Sequence, residues 1–309
     1  MQGEALQPIA FLKRPDAIWQ WLKWSGLPFS TRWSLMRRIR LWRSPGERMF
    51  RRQLLDTTPA GPAGEILKQL EDTGIARINR AFAPDAEAIT IRLSSIFAES
   101  AKSGKNQSTS SNKAGFLVTL LRDADFIAHP EVLSFMSDKR FVDLAGHYLG
   151  EVPLLSSAQL WWSPVNTTAK SSQLYHFDEE DDRQLKFFLN VETIGPEHGP
   201  FTAIPSDASA RAKARTGSMH GRFQDDWVDA CQNGEPPTAF VGARGTLAAV
   251  DTSRCLHYGS RGNSADRAVL MFQFTRFSAP LGRIPNWGEE IKPFARNLSA
   301  AQRRVLQLT

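Results

Sequence analysis

Read for its apolar and polar positions, the chain changes character near residue 153. Before that point apolar residues recur at helical spacing; after it they alternate, or gather in short blocks that suit strands. Helices are predicted over 15–24, 31–43 and 45–54, with Pro15 and Pro45 suited to first-turn positions and Ser30 to an N-cap. Residues 57–63 read as a linker, 65–73 as a short helix stopped by Gly74, and 75–78 as a strand. An amphipathic helix over 84–102, a polar low-complexity loop over 103–114 and two helices over 130–148, ending near Gly150, complete the first half. Strands are then predicted over 154–162, 173–177, 185–192, 201–204, 238–241, 246–250, 255–259 and 268–277. Helices first and a run of short strands afterwards is the order of a jelly roll or barrel backed by helices.

Composition changes this picture in one place. The net charge of +6 is local: residues 1–55 hold eleven Lys/Arg against three Asp/Glu, a net of +8, so the remainder carries −2. The high pI is therefore no argument for a nucleic-acid partner; a basic partner surface, if present, sits on the N-terminal arm. That arm also holds five of the nine tryptophans: Trp19, Trp21, Trp24, Trp33 and Trp42. We expect a basic, Trp-rich helical extension over 1–57 and a main domain over 58–309. The arm either packs its aromatics on the main domain or docks on a second copy, an acidic partner or a membrane surface. No apolar run is long enough to span a membrane, and the first ten residues lack a signal peptide's pattern. Two cysteines, Cys231 and Cys255, cannot build a disulfide framework, so a reducing cytoplasm with two free thiols is expected.

The candidate chemistry centres on Tyr175-His176-Phe177-Asp178. In an extended segment His176 and Asp178 point to one face. An imidazole and a carboxylate make two-thirds of a facial metal site, and His257 is the candidate third ligand. Together they form a 2-His-1-carboxylate set that leaves open positions on Fe(II). Arg267 follows His257 by ten residues across a stretch rich in turn formers, 260–266. Two antiparallel strands joined there bring its guanidinium beside His257, where it can grip a carboxylate in two-pronged fashion. Gln159, Trp161 and Lys186 are candidate pocket residues, and Thr202 a further one, subject to which face of each strand looks inward. The acidic run 179–182 either rims the mouth or forms a solvated turn. The long connection 206–237, with Arg211, Lys213, Arg215, His220 and Trp227, reads as a lid.

With His176-Phe177-Asp178, the His198-Gly199-Pro200 turn leading to Ile204-Pro205, the Gly245-Thr246 strand, His257, Asn263-Ser264 and Arg267, residues 64–280 resemble the phytanoyl-CoA dioxygenase-like branch of the Fe(II)/2-oxoglutarate-dependent oxygenases. The resemblance implies a mainly β fold with flanking helices and a double-stranded β-helix (jelly roll) core. It implies Fe(II) held by His176, Asp178 and His257, with 2-oxoglutarate and O2 as co-substrates and Arg267 on the distal carboxylate. Gln159, Lys186 and Thr202 are further candidates for cofactor contact. The implied activity is hydroxylation of an unactivated C–H bond of a small molecule, with release of succinate and CO2. Desaturation, epimerisation or cyclisation on the same cofactors, and a non-catalytic metal-binding jelly-roll module, are the alternatives. An aspartate at 178 fills the place that halogenases of this superfamily keep for chloride. The chain departs from the pattern at His198, where relatives often carry asparagine, and at 206–209, where Gly-Ser-His is common. Both departures concern the substrate rather than the metal.

Overall fold

The computed structural model describes residues 29–43, 45–55, 58–103, 115–216, 221–232, 236–279, 289–296 and 298–308, with isolated positions at 18, 21, 22, 25–27, 234 and 287. The predicted polar loop and His220 lie outside the described residues, as does most of the first predicted helix. Helices α1 (Phe29–Arg43), α2 (Pro45–Gln53) and α3 (Gly61–Thr73) precede strand β1 (Ile75–Ile78). Helix α4 (Ala86–Ser103), strand β2 (Val118–Arg122) and helices α5 (Pro130–Met136) and α6 (Lys139–Leu149) follow. The strand-rich half holds β3 (Leu154–Ser163), β4 (Gln184–Asn190), β5 (Thr202–Ala203), helices α7 (Ser206–Thr216) and α8 (Asp225–Gln232), then β6 (Thr238–Ala239), β7 (Leu247–Val250), β8 (His257–Tyr258) and β9 (Arg267–Thr275). Two antiparallel sheets result, ordered β1-β7-β4-β9-β3-β2 and β6-β5-β8.

The reason for the layering is visible in β4. All seven of its residues are buried, which requires cover on both faces. Leu185, Phe187 and Leu189 join the large core that the helices also line, while Phe188 joins a smaller cluster with Phe201, Phe240, Val269 and Met271. Phe187 stacks on Phe272 at 4.8 Å, and Phe141 of α6 meets both edge-on at 5.1 and 5.3 Å. The helices thus back one face of the large sheet, and the small sheet covers the other. Phe188 stacks on Phe201 at 4.0 Å across that inner space.

Helix ends follow local chemistry. Gly74 stops α3 in the left-handed conformation, donating its N–H to Leu70. A Cβ there would sit 2.5 Å from Cys255 Sγ, so close approach as well as φ demands glycine. Asp138 caps α6, which ends at Gly150. The structure departs from the expected element pattern in three places. Residues 173–177 form no strand: a short helical turn over Ser171–Gln173 is followed by isolated bridges at Tyr175 and His176. Strand β2 was not expected. The connection 206–237 carries α7 and α8 rather than a bare loop, because Ser206-Asp207 and Asp225-Asp226 supply helix-start chemistry ahead of residues that favour helix.

The arm is tied down by charge. Arg51 is buried and donates to the carbonyls of Val152, Pro153 and Arg304, with Glu47 on its Nε. Its guanidinium lies 4.8 Å from the Phe277 ring centroid. Arg48 pairs with Glu151 and Arg37 with Asp182. No described helix is long and apolar enough to cross a membrane.

Candidate metal centre and its cavity

His176 and His257 face each other through a reciprocal pair of backbone hydrogen bonds, each 3.1 Å. That antiparallel pairing places both imidazoles on one face, with ring centroids 4.3 Å apart. Asp178, two residues on, shares the face and is fixed by its N–H to Thr252 O at 2.9 Å. His257 Nε2 lies 3.4 Å from Asp178 Oδ2, and His176 Nε2 lies 3.9 Å from Oδ1. The three ligand atoms all fall within 4.8 Å of one another.

The orientation of the imidazoles is set from behind. His176 Nδ1 donates to Leu174 O at 2.9 Å and His257 Nδ1 to Cys255 O at 3.0 Å. A carbonyl only accepts, so both rings carry a proton on Nδ1 and turn Nε2 inward. Burial, with His257 alongside, pushes the His176 imidazolium down to about 3, so the ring is neutral in ordinary buffers. Burial alone would raise the Asp178 carboxyl; Lys186, His257 and His176 around it hold it well below the usual carboxylate range instead. Two imidazoles and one carboxylate are the donor set a divalent iron takes.

Lys186 accounts for one sequence candidate. Its Nζ donates to Asp178 Oδ2 at 2.6 Å, and Asp178 raises the lysine pKa against its burial. That bond fixes the orientation of the Asp178 carboxylate in the cavity. Lys186 sits opposite Gln273, six residues along β9 from Arg267, so the backbone positions of the two cations are roughly 20 Å apart. They serve different groups.

Arg267 pairs with Ser163 in the register of β3 and β9 and points between the sheets. Its Nη2 donates to Ser260 Oγ at 2.5 Å and Ser163 Oγ at 3.3 Å. Its Nε and Nη1 are buried without a hydrogen-bond partner. Burial with no carboxylate nearby lowers its pKa to about 10. Unpaired buried donors on a guanidinium are costly, and an incoming carboxylate satisfies them. The donor set and these orphaned atoms both fit iron with a bound dicarboxylate.

A cavity of about 90 Å³ connects these groups, several times the roughly 10–15 Å³ one water needs. The three ligand residues, Lys186, Arg267, Ser260 and Gly259 line it, with Trp161, Phe188, Phe201 and Val269 as apolar walls. An outer cleft shares His176, Asp178 and Ser172 with it and adds Glu179, Glu180 and Arg222. The acidic run thus divides: Glu179 and Glu180 rim the mouth, while Asp181 is buried against Arg276 and Asp182 pairs with Arg276 and Arg37.

Two candidates do not reach the cavity. Gln159 is drawn sideways, accepting from Trp161 Nε1 and donating to Ser157 Oγ; Trp161 is the residue that lines it. Thr202 turns away and donates to Pro200 O at 3.2 Å, because its neighbour Ala203 takes the inward place opposite His257. His198 accepts from Gly195 N–H and caps its own turn. Sequence reasoning missed the support of Arg267. Asn166, Gln173 and Asn263 form a buried amide cluster, and Gln173 and Asn166 donate to Ser260 O. They hold Ser260 at φ +63, where its hydroxyl meets both Ser163 and Arg267. The only sequence signal was an excess of Asn, Gln and Ser in the two loops flanking the strand pair.

Neither a scan against known protein families nor a search of curated proteins finds a match. Solved structures do match. EctD from S. alaskensis with 2-oxoglutarate and 5-hydroxyectoine aligns over 81% of this chain and 90% of its own, at 15% identity and a TM-score of 0.54. The same protein with bound Fe aligns over 73% and 81% at 14% identity, TM-score 0.52. The chain has their fold. The carbocyclase SnoK from nogalamycin biosynthesis, described as non-heme and alpha-ketoglutarate dependent, aligns over 80% and 92% at 15% identity, TM-score 0.50. The jelly roll expected from the order of helices and strands is thereby established.

Proposed function

We propose that the chain is an Fe(II)/2-oxoglutarate-dependent oxygenase of the phytanoyl-CoA dioxygenase-like branch. It hydroxylates an unactivated C–H bond of a small molecule and releases succinate and CO2. The observation that carries this reading is the shared cavity: three convergent ligand atoms and, across the same space, a buried guanidinium with two unsatisfied donors. A purely structural metal site would have no use for the second feature.

His176, Asp178 and His257 would hold Fe(II) on one side, leaving its other positions toward the cavity. Bound there with 2-oxoglutarate, the iron supplies activation of O2 coupled to oxidative decarboxylation. The protein's own residues do the positioning. Lys186 keeps Asp178 ionised and fixes the orientation of its carboxylate. Arg267, braced by Ser163 and Ser260, orients the distal carboxylate. Phe188, Phe201 and Val269 keep water from the space between. Substrate enters from the outer cleft past Glu179, Glu180 and Arg222. The free, buried Cys231 and Cys255 support a reducing compartment.

The test is a metabolite screen that reads succinate release from the Fe(II)-loaded protein, with Asp178→Ala as control. Substrate-dependent succinate that Asp178→Ala abolishes supports the reading; equal succinate from both overturns it. An unaltered protein that gives no visible charge-transfer band with anaerobic Fe(II) and 2-oxoglutarate is a metal-binding module instead. Whether the product is an alcohol, an alkene, an epimer or a ring is read from its mass and stereochemistry.

A further inference from the structure

Among the described residues eight large hydrophobic side chains are exposed, and six of them lie between residues 21 and 50. Leu35, Arg38 and Trp42 are all exposed and stand at positions i, i+3 and i+7 of α1, so they share one face. Met49 and Phe50 follow on α2. Trp42 is 79% exposed and Met49 61%.

These side chains do not lack a place to pack because the arm is undocked. Its inner face is already engaged: Met36 packs with Ile18 and Leu22, Arg37 meets Asp182 and Arg51 fills a seam of backbone carbonyls. Among the described residues Leu35, Trp42 and Met49 remain exposed with those contacts made, while Phe50 meets Arg304. The arm's charge setting is one-sided. Residues 29–53 hold eight arginines and a single acidic residue, Glu47, and Glu47 is itself taken by Arg51 and Arg304.

A face that joins indole and long apolar side chains with guanidinium groups, and offers no free carboxylate, complements an anionic headgroup layer. Tryptophan prefers the boundary between headgroups and acyl chains, and arginine grips phosphate with two parallel bonds. A second copy would press arginine against arginine, which like-charge repulsion opposes. We propose that the outer face of α1 and α2 docks on an anionic phospholipid surface. Helix α1 is about 10 Å thick and is pinned at Asp182, four residues beyond Asp178. The bilayer therefore lies roughly one helix diameter from the loop that rims the outer cleft.

The experiment is vesicle flotation of the full chain at low and high salt, on phosphatidylglycerol–phosphatidylcholine vesicles and on phosphatidylcholine alone. Binding only to the anionic vesicles, reversed by salt, is expected. Arg38→Glu should lower the partition coefficient by about tenfold or more, and Trp42→Ala combined with Met49→Ala should lower it several-fold. All three positions are exposed, so the melting temperature should not move. No binding at low salt, or equal binding to both vesicle types, overturns the proposal. So does a concentration-dependent dimer that the same variants dissolve without any vesicle binding. If a variant does not fold, the lipid and salt dependence of the unaltered chain still decides.

Discussion

Replacing Arg267 by methionine should make the metal-free protein more stable and cripple co-substrate binding at the same time. The guanidinium is buried with two idle donors, and burial lowers its pKa to about 10. Against an ordinary value of roughly 12.5, at 1.36 kcal/mol for each pH unit, that drop corresponds to about 3 kcal/mol of folding free energy. The sign follows from the group being a base. Its charged form is disfavoured in the fold, so the penalty is present at every pH below about 10 and fades above it. Methionine keeps most of the length and loses the charge, and Ser163 and Ser260 retain their mutual hydrogen bond at 2.7 Å. Allowing for imperfect packing, a net gain of about 1–2 kcal/mol translates to roughly 2–6 °C in melting temperature. The co-substrate loses two buried charge-assisted hydrogen bonds at about 1.5–3 kcal/mol each, a fall in affinity of about 10²–10⁴-fold. Differential scanning calorimetry of the metal-free protein measures the first effect. Anaerobic titration of the Fe(II) protein with 2-oxoglutarate measures the second. A lower melting temperature together with unchanged 2-oxoglutarate affinity would refute the assignment of Arg267.

Two further outcomes follow from the same geometry. His176 titrates near 3 in the fold and near 6.5 in the unfolded chain, so the metal-free protein should lose stability progressively as pH falls from about 6.5 to 3, by a few kcal/mol. His176→Gln should flatten that part of a pH series of urea denaturations, and an unaltered slope would disprove the burial argument. Gly199 sits at φ +59 with Arg261 O and Asn263 Cβ 3.0 Å from where a Cβ would be, so Gly199→Ala should lower the melting temperature by several degrees, at about 1–2 kcal/mol for the backbone alone. Because Ser260 N–H bonds to Gly199 O, this variant should also weaken 2-oxoglutarate binding; an effect on stability alone would detach the turn from Arg267.

The candidate metal ligands were legible because their geometry is local. A two-residue spacing puts His176 and Asp178 on one face whether the segment is a full strand or the isolated bridges observed, so the wrong element still gave a converging pair. Arg267 was legible because a short turn fixes where the next strand begins. The facing of Gln159 and Thr202 was not, since a neighbour decides each: Trp161 claims the Gln159 amide, and Ala203 takes the inward place. Strand β2 announced itself in the apolar run 116–121, but a run that short, next to a polar loop, reads equally as a core helix turn. The amide cluster beneath Ser260 was out of reach, because asparagine, glutamine and serine in a loop look the same whether they cap turns or interlock two loops.

Arg51 ties together parts of the chain separated by up to 253 residues. Two main-chain carbonyls, from Val152 and Pro153, accept from that side chain, and Arg304 O accepts from it as well as from Gln307 N–H. A shortened polypeptide that begins after residue 53 would lose those charge-assisted hydrogen bonds, at about 1.5–3 kcal/mol apiece, together with the packing of Arg51 on Phe277. Helix α2 is accordingly bound into the jelly-roll body through Arg51, and heating should release both in a single cooperative step.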